Sequence, residues 1–99
     1  MGGTIVRNVK RNEIFTVKLD EPAAAGYQWR MLPQKNLEIC GVRSEVQDEE
    51  AVGGNITKVF FIKAEEVGEY ELIFNLIRPW EKNNPVQHYH EHIDVSEDR

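Results

Sequence analysis

Apolar and polar residues alternate along most of the chain with a period of two. Residues 15–19 and 27–31 carry an apolar side chain at every second position, which predicts half-buried strands. Residues 70–77 are apolar on both faces, which is typical of a central strand. No segment sustains the period of 3.6 that an amphipathic helix requires. The predicted strands are residues 15–19, 27–31, 37–46, 56–64, 70–77 and 86–95.

Glycine and proline clusters separate these strands and indicate the fold class. Around seven short strands at regular spacing predict an all-β fold, an immunoglobulin-like β-sandwich of about seven to eight strands. A chain of 99 residues supports one core, so residues 1–99 are expected to form a single domain. Gly41 interrupts one strand and predicts a bulge there. The loops expected side by side at one end of the sandwich are residues 21–26, 48–54 and 79–85.

The charge balance narrows the class of partner. Twelve Lys and Arg against 17 Asp and Glu give a net charge of -5. Nucleic acids and anionic membranes attract basic surfaces, so we expect neither as a partner. No apolar stretch approaches the ~20 residues of a membrane span, and the first residues show no signal region. As written, the chain is expected in the cytoplasm; removal of a signal peptide before residue 1 would make it secreted or periplasmic.

No pattern of catalytic residues stands out, and we expect the protein not to be an enzyme. The sequence has no Ser/His/Asp order, no phosphate-binding glycine loop and no paired-carboxylate pattern. Cys40 is the single cysteine, so no internal disulfide can form. It lies in mid-strand, where a small buried apolar side chain is expected rather than a nucleophile.

Three histidines are the most enzyme-like feature of the sequence. His88, His90 and His92 occupy alternate positions, so they point to one face of a strand at intervals of about 6.6 Å. Two of them could chelate zinc, but three on a flat strand cannot reach one ion. We therefore expect a solvated sheet face with no metal and no cofactor, and a zinc-binding domain remains an alternative.

The two tryptophans have different sequence contexts. Trp29 alternates with polar residues inside a predicted strand and is expected in the core. Trp80 follows Arg78-Pro79, where a proline ends a strand. An exposed tryptophan beside an arginine is typical of the energetic centre of a protein interface. The alternative is that Trp80 folds back to cover the end of the sandwich.

Three segments, in order, resemble the motifs of the chagasin-type inhibitors of papain-like cysteine proteases. The first, Pro22-Ala23-Ala24-Ala25-Gly26-Tyr27-Gln28-Trp29, resembles the family's Asn-Pro-Thr-Thr-Gly loop and the aromatic-x-Trp strand after it. The second, Ala51-Val52-Gly53-Gly54, resembles its Gly-x-Gly-Gly loop. The third, Arg78-Pro79-Trp80, matches its Arg-Pro-Trp loop. The resemblance runs from about residue 15 to residue 95.

The resemblance implies a reversible, non-covalent inhibitor that occludes the protease through three loops at one end of the sandwich. The first loop would lie over the catalytic cysteine, the glycine loop along one side, and Trp80 against an aromatic surface on the other. Arg78 would brace the third loop or its contact. The implied partner is a cathepsin-L-like enzyme, and we expect the inhibitor to be a monomer. The implied protease-binding residues are Pro22, Ala23, Ala24, Ala25, Gly26, Tyr27, Ala51, Val52, Gly53, Gly54, Arg78, Pro79 and Trp80.

The sequence also departs from the family pattern. Ala24 and Ala25 stand where the family has two threonines, and Ala51 stands where it has the first glycine. The first loop therefore lacks the hydroxyls that would fix it or bond to the target. A sandwich that binds another kind of protein, or a carbohydrate, through the same end is the main alternative function.

Overall fold

The computed structural model describes residues 6–22, 26–46, 55–78, 80 and 85–97, which contain seven strands and no helix. One sheet has the strand order β1-β7-β6-β3 and the other has the order β2-β5-β4. Four strands facing three is the arrangement of the predicted immunoglobulin-like sandwich, so the all-β prediction is confirmed. None of the described segments forms a helix that is long and apolar enough to cross a membrane. The strands are β1 (Val6–Lys10), β2 (Ile14–Pro22), β3 (Gln28–Met31), β4 (Leu37–Val46), β5 (Asn55–Ala64), β6 (Gly68–Ile77) and β7 (Gln87–Ser96).

The core lies between the two sheets, where the alternating apolar residues of the strands point inward. Phe60 of β5 and Phe74 of β6 meet there with ring centroids 4.9 Å apart, so an aromatic contact joins the two sheets. Burial of a side chain of this size stabilises the fold by roughly 1.5–3 kcal/mol. The side chains that are almost completely buried are Val17, Val59, Ile62, Leu72, Phe74 and Ile93.

Strand β1 was not predicted from the sequence. It pairs in parallel with the last strand, β7, with Val6 opposite His92 and Lys10 opposite Ser96. Only Val9 of this strand is buried, so the segment has no run of alternating apolar residues by which to recognise it. Its position depends on pairing with a distant part of the chain.

A partly buried charge network joins β1 and β7 to β2. The Glu91 carboxylate, on the core side of β7, accepts hydrogen bonds from Arg7 Nε at 2.6 Å and from the Tyr89 hydroxyl at 2.9 Å. Arg7 also donates to the carbonyl of Thr16 and lies over the ring of Phe15. Burial of the phenol is the main cause that raises the pKa of Tyr89, and its hydrogen bond to the Glu91 carboxylate raises this pKa further.

The prediction that Cys40 is buried is wrong, because Cys40 is exposed. The register between β4 and β5 shifts between Ile39 and Gly41, which confirms the predicted bulge and leaves Cys40 as its extra, unpaired residue. Strand β4 also lies at the edge of its sheet. Ile39 is opposite the buried Ile62, so the next residue, Cys40, faces away from the core.

Candidate functional site

Strand register brings the bases of the three predicted loops to one end of the sandwich. Strand β2 ends at Pro22, opposite Asn55 at the start of β5, and the last residue of β4 pairs with Ile56. In the other sheet, β3 begins at Gln28 opposite Ile77, the last residue of β6. The connections β2–β3, β4–β5 and β6–β7 therefore leave from the same end.

Five of the residues assigned to this surface from the sequence are described by the structure: Pro22, Gly26, Tyr27, Arg78 and Trp80. Pro22 is the last residue of β2 and is exposed. The other four come from the first and third loops and are in contact across them. The predicted site residues outside the described residues are Ala23, Ala24, Ala25, Ala51, Val52, Gly53, Gly54 and Pro79.

Trp80 lies on Gly26 and still presents most of its surface to solvent. Trp80 is 67% exposed, so of the two alternatives that the sequence left open for this residue, exposure is the one observed. A Cβ atom added to Gly26 would stand 2.6 Å from Cη2 of the indole, and Gly26 has a φ of +73°. Glycine is required here for two reasons, since another residue would both strain the backbone and displace the ring.

Arg78 and Tyr27 form a second contact between the same two loops. The Arg78 guanidinium carbon lies 4.5 Å from the centroid of the Tyr27 ring, which is a favourable cation–π distance. Tyr27 is half-buried and packs against the core. The arginine therefore braces the base of the third loop against the end of the first, one of the two roles considered from the sequence.

Trp29 is buried, as its alternation predicted, and it ties β3 to the end of β2. Its backbone N–H donates to Oε2 of Glu21 at 3.0 Å, and its indole Nε1 donates to the carbonyl of Asp20 at 2.8 Å. Glu21 is 5% exposed and was missed by the sequence analysis. Its position two residues after Leu19, in phase with the apolar residues of β2, was the available signal that it points inward.

The three histidines occupy the outer face of β7 and contact different residues of β6. His88 Nδ1 lies 2.6 Å from Asn75 Oδ1, and His90 Nδ1 lies 3.2 Å from Glu71 Oε2. His92 faces Glu69. Among the described residues, no group of three or more His, Cys, Asp or Glu is arranged to hold a metal ion.

A β-sandwich with an exposed tryptophan braced at its loop end has the form of a binding domain, and comparison with known families identifies its class. A family model described as "Chagasin family peptidase inhibitor I42" matches residues 8–95. The protein is therefore a peptidase inhibitor and not an enzyme. More particularly, the chain belongs to the chagasin family, which confirms the resemblance of its loop motifs. A comparison with curated proteins found no match.

Two solved structures have the same fold. The cysteine protease inhibitor EhICP2 from Entamoeba histolytica is similar with a TM-score of 0.76 and 19% identity, over 93% of this chain and 86% of that one. Amebosin, known from a solution structure, is similar with a TM-score of 0.67 and 18% identity, over 94% of this chain and 88% of that one. At these identities the likeness concerns the fold.

Proposed function

We propose that this protein inhibits papain-like cysteine proteases by occluding the active-site cleft with three loops, reversibly and without a covalent bond. Membership of the chagasin family supports inhibition of a peptidase, and EhICP2, which shares the fold, is a cysteine protease inhibitor. The observation that carries the proposal is Trp80, which is 67% exposed yet supported from below by Gly26.

The contacts between the first and third loops favour tight binding because they fix the surface before it meets its target. Trp80 has the glycine backbone beneath it, and Arg78 is stacked on Tyr27. Side chains and loops that are already ordered lose less entropy on binding. Tryptophan and arginine are among the residues that most often dominate the energy of protein interfaces.

The composition of the other two segments fits a narrow cleft. Ala23, Ala24 and Ala25 are small and contain no group that reacts with a thiolate, so the first loop blocks the catalytic cysteine by filling space. Gly53-Gly54 carries no side chains that would keep the extended backbone of a partner at a distance. In this arrangement Trp80 packs on an aromatic surface of the protease on the opposite side of the cleft.

The decisive experiment is a titration of a cathepsin-L-like protease with the purified protein, with a serine protease as the specificity control. We expect reversible inhibition of the cysteine protease at a one-to-one ratio, with the inhibitor acting as a monomer. Trp80→Ala is expected to weaken binding by about 2 kcal/mol or more. Ile14→Ala, which removes an exposed side chain at the start of β2 and thus at the other end of the sandwich, should leave the affinity unchanged.

A second measurement tests the non-covalent mechanism. A protease whose catalytic cysteine is replaced by alanine is expected to bind with similar affinity, because the binding energy comes from three loops and not from bond formation. A covalent adduct in the mass spectrum, or cleavage between Pro22 and Tyr27 as a condition of inhibition, would contradict the mechanism. Absence of inhibition by the folded protein would favour a general binding sandwich instead.

A further inference from the structure

Both ends of the first loop meet at one buried carboxylate. Glu21 precedes the last residue of β2, and Trp29 is the second residue of β3. Glu21 Oε2 accepts the backbone N–H of Trp29 at 3.0 Å, and the Glu21 side chain is only 6% exposed. Burial of a carboxylate costs free energy unless the group is hydrogen-bonded. The hydrogen bond from Trp29 to Glu21 therefore stabilises the arrangement in which the two ends of the loop meet.

Neighbouring groups hold the same carboxylate and strand end in place. Lys58 Nζ of β5 lies 3.9 Å from Glu21 Oε1. The preceding residue, Asp20, accepts the Trp29 indole N–H with its carbonyl and the Thr57 hydroxyl with its carboxylate. The start and the end of the loop are thereby fixed to each other and to β5, which lies between β2 and β4.

The side chains within the first loop supply no hydrogen bond. Ala23, Ala24 and Ala25 have no side-chain hydrogen-bonding groups, so the side-chain hydrogen bonds that can position the loop come from the residues at its two ends. We propose that Glu21 is the positioning residue of the first loop: it does not touch the protease, but it sets the distance and direction of the loop ends so that the loop is held ready to bind. This inference rests on the proposed function.

The kinetics of binding distinguish this role from that of a contact residue. When only a fraction of the molecules has the competent loop, the apparent Kd rises in inverse proportion to that fraction. The loss of affinity then comes from a slower association rate, because the protease itself holds the loop once the complex has formed. Loss of a direct contact such as Trp80 acts instead on the dissociation rate.

The test compares four variants with the wild-type chain. Glu21→Ala removes the closing contact, Glu21→Gln keeps an acceptor for the Trp29 N–H, and Glu21→Asp withdraws the carboxylate by about 1.5 Å. Leu37→Ala is the control for lost stability, because Leu37 is buried and pairs with Ala64 at the opposite end of the sandwich. Amide hydrogen exchange is measured on the free proteins, and association and dissociation rates are measured with a cathepsin-L-like protease.

We expect Glu21→Ala to accelerate exchange selectively at residues 26–29 and to slow association by about tenfold or more, the scale of one lost hydrogen bond to a charged group. Glu21→Asp should also accelerate exchange at residues 26–29 and slow association. Glu21→Gln should keep most of the wild-type association rate. Leu37→Ala should lower the thermal midpoint without either local effect. If Glu21→Ala does not fold, Glu21→Asp decides the matter by the same two measurements.

Two results would separate the failure of this inference from the failure of the proposed function. Local exchange and association that match the Leu37→Ala control would overturn the positioning role of Glu21. A wild-type chain that does not inhibit, with the selective exchange effect still present, would overturn the proposed function and leave the closing role of Glu21 supported.

Discussion

The contact between Gly26 and Trp80 makes the substitution Gly26→Ala a sharp probe of the binding surface. The added methyl group would stand 2.6 Å from Cη2 of the indole, and the residue would keep a φ near +73° only under strain. Because Trp80 is 67% exposed, its ring can swing away into solvent more easily than the backbone of the loop can shift. The variant should therefore fold but present Trp80 in the wrong place.

The two consequences have different magnitudes in stability and in binding. A left-handed backbone conformation costs a residue other than glycine about 1–2 kcal/mol, so the free energy of unfolding should fall by about that amount. Displacement of an aromatic side chain at the centre of an interface should cost about 2 kcal/mol of binding free energy, which is roughly a 30-fold rise in Kd.

Chemical denaturation and inhibition titrations measure these two quantities. Gly68→Ala is the matched control, because Gly68 has a φ of +143° but its added Cβ would have no atom closer than 3.9 Å. Gly68 pairs with Val95 at the other end of the sandwich, so this variant should lose stability and keep its affinity. A double variant completes the test: in a Trp80→Ala background, Gly26→Ala should weaken binding little further.

Additive losses of affinity in the double variant would refute this reasoning, since they would mean that Gly26 acts on binding independently of the indole. A Gly26→Ala variant with wild-type affinity would refute it as well, because the position of the Trp80 ring would then not depend on the absence of a side chain at residue 26.

Three further substitutions and one metal analysis address the core, its ion pair and the histidine face. Trp29→Ala should lower the free energy of unfolding by roughly 3–5 kcal/mol, because it empties a core site; a loss below 1 kcal/mol in urea denaturation would contradict its buried role. Glu91→Ala should lower the free energy of unfolding by about 3 kcal/mol, which is the low end for a buried pair because Arg7 is one-third exposed. Its control, Glu97→Ala, breaks a surface pair and should lower the free energy of unfolding by less than about 1 kcal/mol. Metal analysis of reconstituted protein should find no stoichiometric zinc, and tight one-to-one binding would revive the alternative of a zinc site on the three histidines.

Most strands could be predicted from the sequence, because burial alternates along β2, β6 and β7 and β5 is dense in β-branched and aromatic residues. The strand Leu37–Val46 has the predicted bounds, and the strand Asn55–Ala64 differs by one residue at its start. Strand β1 could not be predicted, since Val9 is its only buried residue and its partner strand is at the far end of the sequence. Cys40 was misplaced because its small apolar side chain indicated burial, whereas it follows Ile39, which is opposite the buried Ile62, and therefore faces the other side of the strand.

The candidate site was predictable in its exposed residues but not in its internal supports. Trp80 could be recognised because a proline ends the strand before it, and the structure leaves it exposed. Glu21 and Glu91 continue the inward-facing positions of their strands, but a hydrophobicity pattern treats an acidic residue as a solvent-facing one. The stacking of Arg78 on Tyr27 joins segments that are distant in sequence, and no local spacing indicates such a contact.

The parallel pairing of β1 with β7 has a consequence for how the protein is made. Arg7 and the buried Glu91, which form an ion pair, are separated by 84 positions in the sequence. A ribosome must therefore have synthesised the chain as far as β7 before the sheet that contains β1 can close, and no shorter nascent segment can bury the Glu91 carboxylate against Arg7. Contacts between such distant residues slow folding, typically to the range of milliseconds to seconds in sandwiches of this kind. Until the last strand is in place, the newly made chain exposes an unpaired sheet edge, and this is the interval in which it is most vulnerable to aggregation.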